Sequence, residues 1–314
     1  MKKMGLADLL HPVTTQAFFS SHWPLEPLFI PATPGKLKDL FALEQLQELE
    51  NLVKARQRKV RACLPDFDDE YSSIHLEPSD ALKAYRNNMT LVFDSMQSQD
   101  ATIADTLKNI RSDLGLVTGG SENDLCKSRS IAYATPAGCG TRLHFDANAN
   151  FIIQIKGSKT WRLAPNESVD FPTERFTTGS EEMPAALEKQ CHAPLIEFLD
   201  EDSLEFVMEP GCVLFVPRGY WHETTTEEDS LSLNFTFSQP TWADVFTKSL
   251  QELLLRSPEW RELADGLEGT NEDRKEQAII RFEFLVKNLA AELPQVTGTD
   301  LLMEGGLLTP SIGE

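Results

Sequence analysis

Cysteine is sparse in this chain and never closely paired: the five, Cys63, Cys126, Cys139, Cys191 and Cys212, form no CxxC. Their odd number and wide spacing exclude a disulfide framework and a thiolate metal knuckle, and imply a reduced, cytoplasmic compartment. Long apolar runs are missing too. The longest uncharged stretches have strand length, so no membrane span is expected. The opening MKKMGLADLL interrupts its apolar residues with Asp8, which argues against a signal peptide. No segment repeats at a period of about 20–50 residues. Basic residues are in short supply, 29 Lys plus Arg against 49 Asp plus Glu, for a net charge of −20. That field repels phosphate backbones, argues against nucleic acid as a partner and favours a neutral or basic substrate. The remainder is an ordinary globular balance, 41% hydrophobic and 25% charged over 314 residues. The length implies two modules, or one core with an appended piece.

Local patterns divide the chain. Residues 1–129 read as a mixed α/β region packing on a β core that begins near Ser130. Phe18 to Pro34 holds Trp23 among four prolines and reads as extended chain. Leu43, Leu46, Leu49 and Val53 recur at helical spacing and imply one helix over Leu43–Lys54. The adjoining run Lys54, Arg56, Arg58, Lys59 and Arg61 is either a solvated face or a patch toward substrate. Thr90–Phe93 reads as a strand and Thr102–Leu114 as a helix. From Ser130 the rhythm changes to short runs rich in Ile, Val, Phe and Thr: 130–135, 143–155, 159–163, 203–208, 212–217 and 230–237. Strands at this spacing imply a mainly β core over 130–240, an antiparallel sandwich or barrel with flanking helices. The acidic stretch 166–199 interrupts it as an insertion near the barrel mouth. Beyond Pro240, Trp242–Leu255, Pro258–Asp265 and Glu272–Leu289 read as helices, making 241–295 a helical C-terminal region. Its stripe of Ile280, Phe282, Phe284, Leu285 and Leu289 needs a cover, from the body or from another subunit. Residues 296–314 read as a flexible tail.

Chemistry concentrates in two segments. The first runs from Gly138 to Lys159 and contains His144-Phe-Asp146. Residues i and i+2 of a strand share a face, so His144 and Asp146 present an imidazole and a carboxylate together, with Asn150 alongside if the strand runs straight. The second is Gly211-Cys-Val-Leu-Phe-Val-Pro217-Arg-Gly219-Tyr-Trp-His222, a strand end followed by a histidine. Two His and one Asp in a small barrel make a facial triad that leaves metal positions open. An HxD pair alone is a weak signal; its combination with Pro-x-Gly-x-x-His, 71 residues past Asp146, is specific.

These segments resemble both signatures of the cupin superfamily, and within it the JmjC-type Fe(II)- and 2-oxoglutarate-dependent oxygenases. The resemblance implies a double-stranded β-helix (cupin or jelly-roll) core, with His144, Asp146 and His222 as the metal ligands and catalytic centre. In the asparaginyl-hydroxylase type, a Thr three positions before the HxD and a Lys fifteen positions after its His bind the distal carboxylate of 2-oxoglutarate. Those positions fall on Thr141 and Lys159. Asn150 and Asn234 match that family's Asn on the HxD strand and on the strand after the distal His. Tyr133 either donates to 2-oxoglutarate, lines the substrate pocket or belongs to the core. Arg142 and Arg218 are rim candidates, Trp221 is rim or core, and His11, His22, His75 and His192 read as structural or exposed. The implied reaction uses O2 and converts 2-oxoglutarate to succinate and CO2 while hydroxylating a C–H bond, on a protein or peptide side chain first of all. A small-molecule substrate and N-demethylation stay open, as do a cupin that ignores 2-oxoglutarate and a non-enzymatic dimeric module with a vestigial metal site. Residues 10–290 also resemble bacterial JmjC proteins related to ribosomal-protein hydroxylases, whose C-terminal helices imply a homodimer here. The 74 residues after Pro240 read as helices and a tail rather than that group's winged helix, which argues against a ribosomal-protein substrate.

Overall fold

The computed structural model describes residues 4–64, 73–116 and 126–308. Its strands are β1 (Leu28–Ile30), β2 (Val60–Cys63), β3 (Ser73–Leu76), β4 (Thr90–Phe93), β5 (Ser128–Thr135), β6 (Gly140–Phe145), β7 (Ala149–Lys156), β8 (Lys159–Ala164), β9 (Phe176–Thr177), β10 (Leu204–Met208), β11 (Val213–Val216), β12 (Trp221–Thr225) and β13 (Ser230–Phe237). The helices are α1 (Leu6–Leu10), α2 (Thr15–Ser21), α3 (Lys38–Phe41), α4 (Glu44–Gln47), α5 (Leu49–Ala55), α6 (Pro78–Tyr85), α7 (Ala101–Asp113), α8 (Ala185–Glu188), α9 (Trp242–Leu254), α10 (Glu272–Glu292) and α11 (Gly298–Glu304).

Strands β1-β11-β7-β13-β5-β4-β2-β3 form one antiparallel sheet and β10-β8-β12-β6-β9 a second. Together they are the double-stranded β-helix expected from the motifs. β13 shows how sequence makes this wall: all eight of its residues are buried, and their polarity alternates. Leu231, Leu233, Phe235 and Phe237 join the main apolar core on the outer face. Ser232, Asn234 and Thr236 line the cavity on the inner face. A strand covered on both sides normally reads as continuously apolar; here the period of two separates a packing face from a chemical one. The outer core is closed by the N-terminal helices, with Phe18 of α2 against Phe215 (5.1 Å between ring centroids) and Phe151 (5.9 Å). A smaller cluster of Ile152, Trp161, Leu163, Met208, Leu214 and Val216 joins the two sheets.

Several expectations are corrected. Phe18–Ser21 is helical, because Thr14 caps α2 through a bond from the Ala17 amide, and extended chain begins only after the first prolines. The helix expected over Leu43–Lys54 is broken at Glu48, which adopts φ −140°, ψ 147°, while Leu46, Leu52 and Val53 all stay buried. Residues 143–155 are two strands in different sheets: Asp146, Ala147 and Asn148, with two turn-forming side chains among them, carry the chain across. Pro258–Asp265 shortens to one 3-10 turn, Pro258–Arg261. In the supposed tail, Thr297 and Asp300 form a capping box that starts α11, and Gly305 lies against Ser249 of α9.

The chain divides into two compact units: residues 1–116 with 127–238, and 117–126 with 239–314. In the first, Val169, Leu187 and Leu199 of the 166–199 insertion bury against Leu143, Phe145 and Trp221. In the second, α10 has no buried residue. No helix among the described residues is long and apolar enough to cross a membrane.

Candidate metal centre

The pairing of β6 with β12 sets His144 directly opposite His222, with ring centroids 4.1 Å apart. Each ring is oriented by its own strand. Nδ1 of His144 lies 2.7 Å from the Arg142 carbonyl, and Nδ1 of His222 lies 2.9 Å from the Tyr220 carbonyl. A carbonyl only accepts, so each Nδ1 carries a proton and Nε2 is the atom left to face a metal. Asp146 follows at the end of β6. Its backbone carbonyl accepts from the Gly219 amide at 2.8 Å, and Gly219 has φ +86°, a conformation that suits glycine. One carboxylate oxygen accepts from Asn150 Nδ2 at 3.0 Å and lies 3.9 Å from His222 Nε2; the other lies 3.4 Å from Arg175 Nε. Thr236 Oγ1 in turn donates to Asn150 Oδ1 at 2.7 Å. The three ligand atoms lie within 4.8 Å of one another, the only such grouping of His, Cys, Asp and Glu among the described residues.

Electrostatics keep His144 and Asp146 in their metal-binding forms. Burial, with the His222 and Arg175 charges, holds the His144 pKa well below the ordinary imidazole value. Burial alone would raise the Asp146 carboxyl; His144, Arg175, His222 and the Asn150 bond outweigh it and hold the pKa below its ordinary value. Two imidazoles and one carboxylate, without thiolate, suit a divalent first-row metal such as iron.

A cavity of about 760 Å³ opens from this point, lined by Tyr133, Thr141, His144, Asp146, Asn150, Lys159, His222 and Asn234, together with further residues of both sheets. All eight candidate site residues therefore converge. Lys159 is 4% exposed, and Nζ donates to Thr135 Oγ1 at 2.9 Å. It has no carboxylate partner among the described residues, and burial lowers its pKa to about 8. Thr141 Oγ1 lies 2.8 Å from Thr224 Oγ1. Asn234 Oδ1 and Trp161 Nε1 are buried without a hydrogen-bond partner among the described residues. A buried ammonium lacking its anion, beside two unsatisfied polar groups, fits a small carboxylate ligand next to the metal.

Asn150 reaches Asp146 from β7 rather than from a continued β6. Trp221 is core. His75 lies on strand β3 and lines the cavity, contrary to its expected place outside a strand, whereas the Arg142 and Arg218 side chains are not among the lining residues. Sequence reasoning misses Thr135 and Thr236, although each follows a named residue by two on the same face. Arg175 comes from the insertion, where no motif marks it.

The JmjC domain family model matches residues 120–245. This segment is a JmjC domain. Over 299 residues the chain is 28% identical to YxbC of Bacillus subtilis (strain 168), covering 93% of this chain and 88% of that protein. It is 23% identical over 256 residues to ribosomal oxygenase 1 of Danio rerio, covering 78% of this chain but 43% of that protein. The solved structure of E. coli ycfD shares the fold, with a TM-score of 0.54 at 15% identity over 94% of this chain and 71% of that one.

Proposed function

We propose that this JmjC protein is an Fe(II)- and 2-oxoglutarate-dependent oxygenase that hydroxylates a C–H bond of a protein or peptide side chain and releases succinate and CO2. The observation that carries the proposal is the convergence, in one cavity, of three metal ligands with a buried lysine that has no carboxylate partner among the described residues. Relatives named ribosomal oxygenase support the oxygenase class and a protein substrate.

His144, Asp146 and His222 would hold the metal, which when bound supplies the activation of O2. The chain's own residues do the positioning. The Arg142 and Tyr220 carbonyls fix both imidazoles, and the Thr236–Asn150 relay fixes the carboxylate. Lys159 and Thr141 would bind the far carboxylate of 2-oxoglutarate as a point charge and a hydroxyl donor. Asn234, Trp161 and Tyr133 would border the remainder. Burial of Lys159 and His222 excludes bulk water from that end.

A homodimer through the C-terminal helices belongs to the same proposal. Ile279, Ile280, Phe282, Phe284 and Val286 of α10 are all more than 40% exposed, a face that calls for cover. The free cysteines support a reducing, cytoplasmic setting. The test is conversion of 2-oxoglutarate to succinate by iron-loaded protein, lost in His144→Ala, Asp146→Ala and His222→Ala. Undiminished conversion in these variants would overturn the proposal.

A further inference from the structure

We propose that Arg129 selects substrates bearing a carboxylate close to the carbon that is oxidised. The oxidation rests on the oxygenase reading above; the recognition does not. Strands β4, β2 and β3 carry the large sheet beyond the barrel, and their inner face walls the outer half of the cavity. The groups there are Arg61, His75, Asp94, Arg129 and, from the insertion, Glu174 and Arg175. Ile131 is the one large aliphatic side chain among the described lining residues, so this wall does not suit an apolar substrate.

Two of the three guanidiniums already face acids: Arg61 Nε lies 3.5 Å from Asp94, and Arg175 Nε 3.4 Å from Asp146. The Arg129 side chain has no ion-pair or hydrogen-bond partner among the described residues. Register places it near the reaction centre. It stands opposite Thr236 across β5 and β13, and Thr236 stands opposite Asn150 across β13 and β7. Asn150 is the residue that holds Asp146. Two strand spacings of about 4.8 Å separate the backbones of Arg129 and Asn150. A group bound by this guanidinium therefore sits one short spacer from the metal position.

A guanidinium offers a planar fork that matches a carboxylate. A phosphate dianion would leave one charge uncompensated beside Asp94 and Glu174, so a monoanion is the better fit. The net charge of −20 does not oppose this, because charges more than about 8 Å away across water are screened at physiological salt. The wall thus reverses the expectation of a neutral or basic substrate.

The test is ligand-observed NMR titration of the full chain loaded with Mn(II), with and without 2-oxoglutarate. The probes are Ac-Ala-Ala-Glu-Ala-Ala-NH2, its Gln and Lys counterparts, and N-acetylglutamate amide. The Glu peptide is expected to bind at least about tenfold tighter than the Gln peptide, as a charge-assisted pair requires. Arg129→Gln should equalise the two, Arg129→Glu should favour the Lys peptide, and Lys159→Met should leave the preference in place. Tighter binding of N-acetylglutamate amide than of the peptide would locate the carboxylate on a small molecule, still in support. A Glu preference without 2-oxoglutarate binding would keep this inference and overturn the cosubstrate reading. Equal or stronger binding of the Gln or Lys peptide by wild type, binding of no probe, or a Glu preference surviving in folded Arg129→Gln would overturn the inference itself.

Discussion

Replacing Lys159 by Met should stabilise the ligand-free protein while removing its cosubstrate. Burial lowers the Lys159 pKa from 10.5 to about 8. At about 1.4 kcal/mol per pH unit, holding that ammonium charged at pH 7 costs the folded state about 3 kcal/mol. Methionine has a similar reach and no charge. It forfeits the ammonium's bond to Thr135 Oγ1, a charged-group bond worth about 2 kcal/mol. The net gain is about 1 kcal/mol, or about 2–4 °C in Tm for a unit of this size. The sign depends on pH. The folded pKa is depressed, so the cost is present in full below about pH 8 and gone above 10.5, and the advantage of Met should fade across that window. 2-Oxoglutarate binding should move the other way. Losing a charge-assisted bond of about 2–3 kcal/mol raises Kd about 30- to 150-fold. Differential scanning fluorimetry with and without 2-oxoglutarate at pH 7 and pH 10 reads both effects. A variant less stable than wild type at pH 7 would show that Lys159 is no buried cost, and one that keeps the wild-type response to 2-oxoglutarate would show that it is not the cosubstrate's partner.

The same geometry has other consequences. Thr236→Val leaves Asn150 without the donor that orients it, and Asn150→Ala removes the bond to Asp146; each should weaken Mn(II) binding about 10- to 100-fold by calorimetry. Unchanged affinity in both would show that the relay does not position Asp146. Gly140→Ala should destabilise the fold severely, because its Cβ would lie 1.9 Å from the Thr224 carbonyl oxygen and force β6 from β12; a Tm within about 2 °C of wild type would contradict the close pairing. Sedimentation equilibrium should find a dimer that Phe282→Glu with Phe284→Glu converts to monomer. A wild-type monomer of 35.2 kDa at all concentrations would remove the dimer from the proposal.

Much of the site is legible in the chain because its residues lie on strands, where a period of two sorts side chains without knowledge of the partner strand. His144 and His222, with Asp146 just past the end of β6, sit where that period and the two cupin signatures place them, and Lys159 and Asn234 where the resemblance to the asparaginyl-hydroxylase type implies. Asn150 belongs to the expected site but arrives by a different route: Asp146–Asn148 turns the chain into the other sheet, and Asn150 returns to Asp146 from there. Arg175 is not legible. It is an arginine in an irregular insertion, and only pairing of β9 with β6, Thr177 opposite His144, brings it to Asp146. Glu48 breaks a helix whose leucine spacing is periodic, because burying Leu46 and Leu52 together outweighs local regularity. The outer wall of the cavity is hidden for a different reason. In the sequence Arg61 is one of a basic run and His75 is isolated, and only their pairing across β2 and β3 puts them side by side.

One cavity is to hold a metal and 2-oxoglutarate together. The most direct test is anaerobic titration of the Fe(II)-loaded protein with 2-oxoglutarate, following the visible metal-to-ligand charge-transfer absorption beside Lys159→Met. A saturable band in wild type, shifted to much higher 2-oxoglutarate concentration in the variant, is the expected result. Folded, iron-loaded wild type that develops no band would contradict the account.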